Sequence, residues 1–138
     1  MRSERGSVTL WTLGLSLLLL LFGGLAVDFW RALALQRELA AIADSASVAA
    51  ASGIDEERYR ATGEVVIDAA RAAGIGLSYV ASQDVALDDL IVTTEFDGSS
   101  VSVLVVDRLE LGLMGVFVDQ TAPLTVTAKA TAIPVLVP

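Results

Sequence analysis

The sequence predicts an α+β protein with a long N-terminal transmembrane helix that continues outside the membrane, a second helix and a small antiparallel β-sheet. Three observations lead to this prediction. Residues 8–27 are predominantly apolar and carry no charge. Residues 28–51 contain neither Pro nor Gly and are rich in Ala and Leu, which are strong helix formers. From Ser78 onward the period changes to two, and from Leu90 apolar and polar residues alternate as they do in half-buried strands.

Composition excludes several classes of function. The 138 residues carry a net charge of −8, and they include neither Cys nor His. Without these two residue types the chain has no thiolate nucleophile, imidazole base or Cys/His zinc site. An acidic chain is also a poor binder of nucleic acid, whose phosphates are neutralised by Lys and Arg. We therefore expect no nucleic acid, cofactor or small-molecule substrate among the partners.

The uncharged segment has the length of a membrane span. Its 20 residues, Val8–Val27, rise about 30 Å as a helix, which matches the hydrocarbon core of a bilayer. Arg2 and Arg5 precede it, and Glu4 alone opposes them, so the positive-inside rule predicts a cytoplasmic N-terminus. A secretory signal cleaved before Val27 is the alternative. Because apolar cores of signal peptides are shorter, we favour a retained single-pass anchor with its C-terminal portion outside the cytoplasmic membrane.

The predicted organisation has four parts. Residues 1–7 form a cytoplasmic leader, residues 8–27 the transmembrane helix, residues 28–53 its extracytoplasmic continuation and residues 54–138 a small α+β head. The continuation carries an apolar stripe at helical spacing, and Gly53 is expected to end it in the left-handed conformation. Asp55 is predicted to cap a second helix that ends at Gly74 and Gly76.

Three or four strands are predicted in the head. Leu90–Phe96 and Val101–Val106 alternate around the turn Asp97–Ser100, which is a hairpin signature. Leu124–Ala132 alternates in the same way and predicts a further strand with one wet face. Between them, Leu109–Phe117 fits either a short amphipathic helix or a buried loop.

No group of residues in the sequence predicts a catalytic or metal site. Asp44 opens a segment that resembles a D-x-S-x-S metal motif, but Ala46 and Val48 occupy the two hydroxyl positions. A turn explains Asp97 better than a metal does. The acidic residues Asp84, Asp88 and Asp89 fit a solvated loop better than a Ca²⁺ site.

Two features of the apolar segment are candidates for helix assembly. Gly23 and Gly24 allow close helix approach or local loosening, although Gly is also ordinarily tolerated in membrane helices. Asp28 lies one residue beyond the apolar core. It either marks the membrane boundary or pairs with an Arg of a neighbouring chain.

These residues resemble the N-terminal segment of TadE/TadG-like proteins, the minor pilin-like proteins of the Flp/Tad (tight adherence) pilus system. The resemblance covers residues 5–53. The resemblance is carried by four short segments: Arg5-Gly6-Ser7-Val8 before the apolar run, Gly24-Leu25-Ala26-Val27-Asp28 at its end, Leu35-Gln36, and Ala43-Asp44-Ser45-Ala46. Within the last two segments, Gln36 and Asp44 are the positions of the family motif. The resemblance implies a pilin-like fold, other pilin-like subunits and pilus assembly proteins as partners, and a candidate processing site between Gly6 and Ser7.

The sequence departs from the family pattern in two respects. TadG proteins often carry a large von Willebrand A domain, for which this chain is too short, and the second departure lies near the candidate processing site. After a cut behind Gly6, the fifth position is Trp11, where prepilins usually carry Glu. The resemblance therefore implies a short, non-enzymatic minor pilin-like component that primes, caps or assembles the pilus, with Trp11 in the assembly helix. The alternative is a permanently anchored binding module that never enters the filament. An anchored hydrolase is disfavoured because the chain has no nucleophile–base pair.

Overall fold

The computed structural model describes residues 4–83, 87–94, 98–110, 112 and 123–134. It confirms the predicted α+β class. The elements in chain order are the helices α1 (Glu4–Ala51), α2 (Glu56–Thr62) and α3 (Ala69–Ser82), and the strands β1 (Asp89–Thr94), β2 (Val101–Leu109) and β3 (Leu124–Ala132). The chain divides into two units. The first comprises residues 1–34 and 109–124, and the second comprises residues 35–108 and 125–138.

Helix α1 is a single helix of 48 residues, as its composition predicts. The hydroxyl groups in its apolar part bond to carbonyls of the same helix. Thr12 Oγ1 lies 3.0 Å from the carbonyl oxygens of both Val8 and Thr9, and Ser16 Oγ donates to Thr12 O at 2.8 Å. Within the described residues, α1 is the one helix that is long and apolar enough to cross a membrane.

The end of α1 differs from the prediction. Gly53 follows the helix, but the glycines with positive φ in the described residues are Gly63 and Gly98. The reason for glycine at position 53 is close packing instead. A Cβ atom there would lie 2.8 Å from the backbone N of Ala72 and 2.9 Å from its Cα. Gly53 is therefore required by the approach of the α3 backbone.

The predicted second helix is two helices. Asp55 caps α2 as expected, because its carboxylate accepts from Arg58 N at 3.0 Å. Gly63 then ends α2 with φ 73°, and its N–H donates to Tyr59 O at 2.8 Å. Asp68 starts α3 in the same way through Arg71 N at 2.9 Å. The prediction that Gly74 and Gly76 end the helix is wrong, since both lie inside α3. The predicted change to strand spacing at Ser78 is wrong for the same reason, because α3 continues to Ser82 and β1 begins at Asp89.

Backbone hydrogen bonds close the loop that contains α2. Asp55 N donates to Val66 O at 2.8 Å, and Asp68 N donates to Gly53 O at 2.8 Å. Ile67 N donates to Gly98 O at 2.9 Å, which joins this loop to the start of β2. Position 98 requires glycine for two reasons. Its φ is 69°, and a Cβ atom there would overlap Cγ1 of Val66. Main-chain bonds thus join the two ends of the loop that contains α2.

The three strands form one sheet in the order β1-β2-β3. Strands β1 and β2 are antiparallel, with Asp89 opposite Val106 and Thr94 opposite Val101. This confirms the predicted hairpin, although Glu95, Phe96 and Asp97 lie outside the described residues. Of the ambiguous segment Leu109–Phe117, residue 109 ends β2, and residues 111 and 113–117 also lie outside them.

The core of the second unit lies between the sheet and two helices. On β2 every second side chain from Val101 to Val105 is fully buried. These valines face small and aliphatic side chains of α1 and α3. The main cluster consists of Leu39, Ile42, Ala43, Ala46, Val80, Val103, Val105 and Ala128. Four of its members come from α1, so the C-terminal part of the long helix belongs to the core.

We predict that Gly53→Ala lowers the free energy of unfolding by about 1–3 kcal/mol, because the new methyl group overlaps the α3 backbone. Gly74→Ala is the matched control, since a Cβ atom there meets nothing within 4 Å. It is expected to be neutral or to stabilise by up to about 1 kcal/mol, because alanine favours helix. Urea denaturation of the full chain in detergent micelles, followed by circular dichroism, measures both. Equal stability of the two variants would contradict the close approach.

Candidate functional site

The apolar part of α1 presents large exposed side chains on every face. Leu10 is 72% exposed, and even Leu21, among the less exposed, is 38% exposed. The gain from removing apolar surface from water is roughly 25 cal/mol per Å², so this surface favours a lipid or protein environment strongly. The segment is suited to contact lipid or other apolar helices.

The residues predicted for processing and assembly lie along this helix. Ser7, at the start of α1, and Trp11 are exposed. Gly23 is exposed, and a Cβ atom there would meet nothing within 4 Å, so its own chain does not require glycine. Gly24 is buried, unlike its neighbour. The two glycines are therefore in different environments, which the sequence does not distinguish.

Asp28 is a buried carboxylate in the first unit. It is only 5% exposed, and it lies one helical turn after Gly24. Its Oδ1 accepts a hydrogen bond from the backbone N of Gly112 at 3.1 Å. A buried carboxylate is costly unless it is hydrogen-bonded, and this bond supplies such a partner from within the chain.

Gly112 fits closely between two side chains of α1. A Cβ atom at this position would lie 3.0 Å from Asp28 Oδ1 and 3.3 Å from Arg31 Nη1. Any larger residue would displace the carboxylate or the guanidinium group. Sequence reasoning missed both Gly112 and Arg31. The available signals were the i, i+3 spacing of Asp28 and Arg31 and a glycine within an apolar run.

The motif positions Gln36 and Asp44 lie in the second unit, and both are exposed. The fully buried residues Leu39 and Ala43 lie between them on α1. Gln36 and Asp44 therefore contribute no core packing.

Among the carboxylates considered as metal ligands, those that the structure describes do not form a common site. Ser47 Oγ donates to the backbone oxygen of Asp44 at 2.8 Å and so completes a bond within its own helix. Asp88 pairs with Arg108 at 3.5 Å, and Asp84 and Asp97 lie outside the described residues. In the described part of the chain, no three Asp or Glu residues form a group that fits a metal ion.

A long exposed apolar helix joined to a small helix-and-sheet core defines the class of a membrane-anchored α+β protein. Residues 6–53 match the family model described as "Putative Flp pilus-assembly TadE/G-like", which confirms the resemblance that the sequence indicates for this segment. The match covers nearly all of α1 and supports involvement in Flp/Tad pilus assembly. Neither the curated proteins nor the solved structures contain a match to the chain.

We predict that Asp28→Ala increases hydrogen exchange at the Gly112 amide, because the variant removes the acceptor. A typical hydrogen bond contributes about 1 kcal/mol, which corresponds to a roughly fivefold loss of protection. Asp28→Asn keeps a side-chain oxygen and is expected to retain part of the protection. Asp44→Ala, an exposed aspartate on the same helix, is the control and leaves exchange at Gly112 unchanged. Equal exchange in all four proteins would show that the bond does not hold in solution.

Proposed function

We propose that the protein is a non-enzymatic, minor pilin-like component of a Tad/Flp-type pilus that acts in pilus assembly, priming or capping. The observation that carries this proposal is the family match over residues 6–53, which coincides with α1. The helix has the two properties that a pilin-like subunit needs. Its apolar part is exposed to lipid or other helices, and its outer part belongs to the core of a folded unit.

In this proposal each part of the chain has a separate role. Residues 1–7 are a cytoplasmic leader, residues 8–27 span the cytoplasmic membrane, residues 28–53 continue the helix outside, and residues 54–138 form the head. Basic residues before the span and the acidic excess after it support this orientation. Other pilin-like subunits and assembly proteins are the proposed partners of the helix and the head. Gln36 and Asp44, both exposed on α1, are available for such contacts.

A second function is favoured by Trp11. A minor pilin that is cut after Gly6 would carry this large, exposed side chain at its fifth position, where prepilins usually carry Glu. An anchored accessory factor that stays in the membrane needs neither the cut nor the Glu. The two functions predict different masses and locations for the same chain.

Intact mass spectrometry of the protein from membranes and from sheared surface filaments separates these functions. For a minor pilin we expect a chain without residues 1–6 in the filament fraction. Gly6→Val should block the cut and remove the protein from filaments. Gly14→Ala, a glycine substitution where a Cβ atom meets nothing within 4 Å, is the control and should be processed normally. An uncut chain confined to membranes would support the anchored factor instead.

Deletion of the gene tests the role in assembly itself. We expect fewer or shorter pili, because a priming or capping component acts at filament initiation or termination. Complementation with the unaltered chain should restore them. Normal pilus number and length in the deletion strain would contradict the minor-pilin function. They would be consistent with an anchored binding module or accessory factor of another envelope secretion or assembly complex.

A further inference from the structure

The two tryptophans of the chain lie at the two ends of the apolar helix segment. Trp11 is 78% exposed and Trp30 is 68% exposed. Trp30 follows Trp11 by 19 positions, which corresponds to about 28 Å along an α-helix. The hydrocarbon core of a bilayer is about 30 Å thick. The separation of the two indole rings therefore matches the distance between the two interfaces of a membrane.

Tryptophan is suited to that position by its chemistry. The ring is apolar, whereas the indole N–H donates a hydrogen bond to water or to a lipid headgroup, so the side chain is most stable where both environments meet. We propose that Trp11 and Trp30 are interfacial anchors that set the depth of α1 in the lipid bilayer. This inference rests on the membrane-spanning part of the proposed function and adds the lipid contacts that fix the helix.

The side chains near Trp30 are consistent with a position at the headgroups. Phe29 is also 68% exposed and adds a second ring at this level. Arg31 is exposed, and arginines beside a membrane extend their charged ends toward the phosphates. Asp28 lies about 3 Å deeper, at two residues before Trp30. Its carboxylate is buried and bonded to Gly112, so it does not require lipid or bulk water as a partner.

The side chains between the two tryptophans are consistent with the hydrocarbon interior. No charged residue occurs from position 12 to position 27. The hydroxyls of Thr12 and Ser16 donate to carbonyls of their own helix, so they leave no unpaired donor toward lipid. The anchors also give Trp11 a role. At this position an aromatic ring fixes the helix at one interface of the membrane.

Depth-dependent fluorescence quenching tests the proposal on the full chain. Trp11→Phe leaves Trp30 as the single tryptophan, and Trp30→Phe leaves Trp11, so excitation at the red edge of the absorption band reports on one tryptophan at a time. Each variant is inserted into vesicles of phosphatidylcholine and phosphatidylglycerol whose acyl chains are brominated either near the headgroup or near the chain end. We expect both tryptophans to be quenched more strongly by the shallow bromines than by the deep ones.

A third variant calibrates the depth scale. Leu19→Trp in a chain that also carries Trp11→Phe and Trp30→Phe places the fluorophore near the middle of the segment, and deep bromines should quench it most. Stronger quenching of Trp11 or Trp30 by deep bromines would overturn the proposal. So would emission from either residue that is quenched by aqueous iodide but by no brominated lipid. A change in the emission of either residue as the lipid-to-protein ratio rises would identify a neighbouring protein helix, rather than lipid, as its partner.

The outcome is independent of the role in pilus assembly. Normal pili in a deletion strain would not change the measured depths of the tryptophans. The protein would then be a membrane-anchored protein that acts outside the pilus. Conversely, fluorescence depths that contradict the two anchors would not contradict the proposed function, which the pilus phenotype of the deletion strain tests separately.

Discussion

The contact between the small-residue face of α1 and strand β2 is the interaction on which the second unit depends. Ala43 and Ala46 have short side chains, so the fully buried Val103 and Val105 lie in the same cluster as the helix. Each buried valine contributes about 1.5–3 kcal/mol through removal of apolar surface from water. Because β2 is the central strand, β1 and β3 take their positions from it. A longer side chain on this face of α1 would displace the whole sheet.

Close approach of backbones governs the connections around that core. Gly53 lies against the backbone of α3, and Gly98 lies against Val66 and Ile67. Both sites leave no room for a Cβ atom, and both lie beside main-chain hydrogen bonds that involve residues 66–68. These bonds join the two ends of the loop that contains the short helix α2. Its exposed ion pairs, including Arg60 with Glu56 at 2.8 Å, add little because such pairs contribute about 0–1 kcal/mol.

The first unit follows a different rule, which is the pairing of polar groups in an apolar environment. A carboxylate or hydroxyl group that makes no hydrogen bond in or near lipid raises the free energy of the folded protein. Thr12 and Ser16 find their partners on the same helix, whereas Asp28 accepts from a residue 84 positions later in the chain. That bond also answers a question that the sequence leaves open. Asp28 has a partner within its own chain, so its presence does not require an arginine from another subunit.

The sequence by itself determined the long helix, the capping of α2 by Asp55, the hairpin of β1 and β2, the alternation of β3 and the resemblance over residues 5–53. These features depend on local pattern: an uncharged apolar run, a side-chain oxygen before a helix, and alternation with a period of two. Only the tertiary structure decided that Gly53 meets α3, that Gly63 divides the predicted second helix, and that Asp28 contacts Gly112. Each of these depends on how closely distant or neighbouring backbones approach. The sequence does not show whether a glycine ends a helix, lies within one or allows another chain segment to approach closely. The packing of the folded chain distinguishes these three roles.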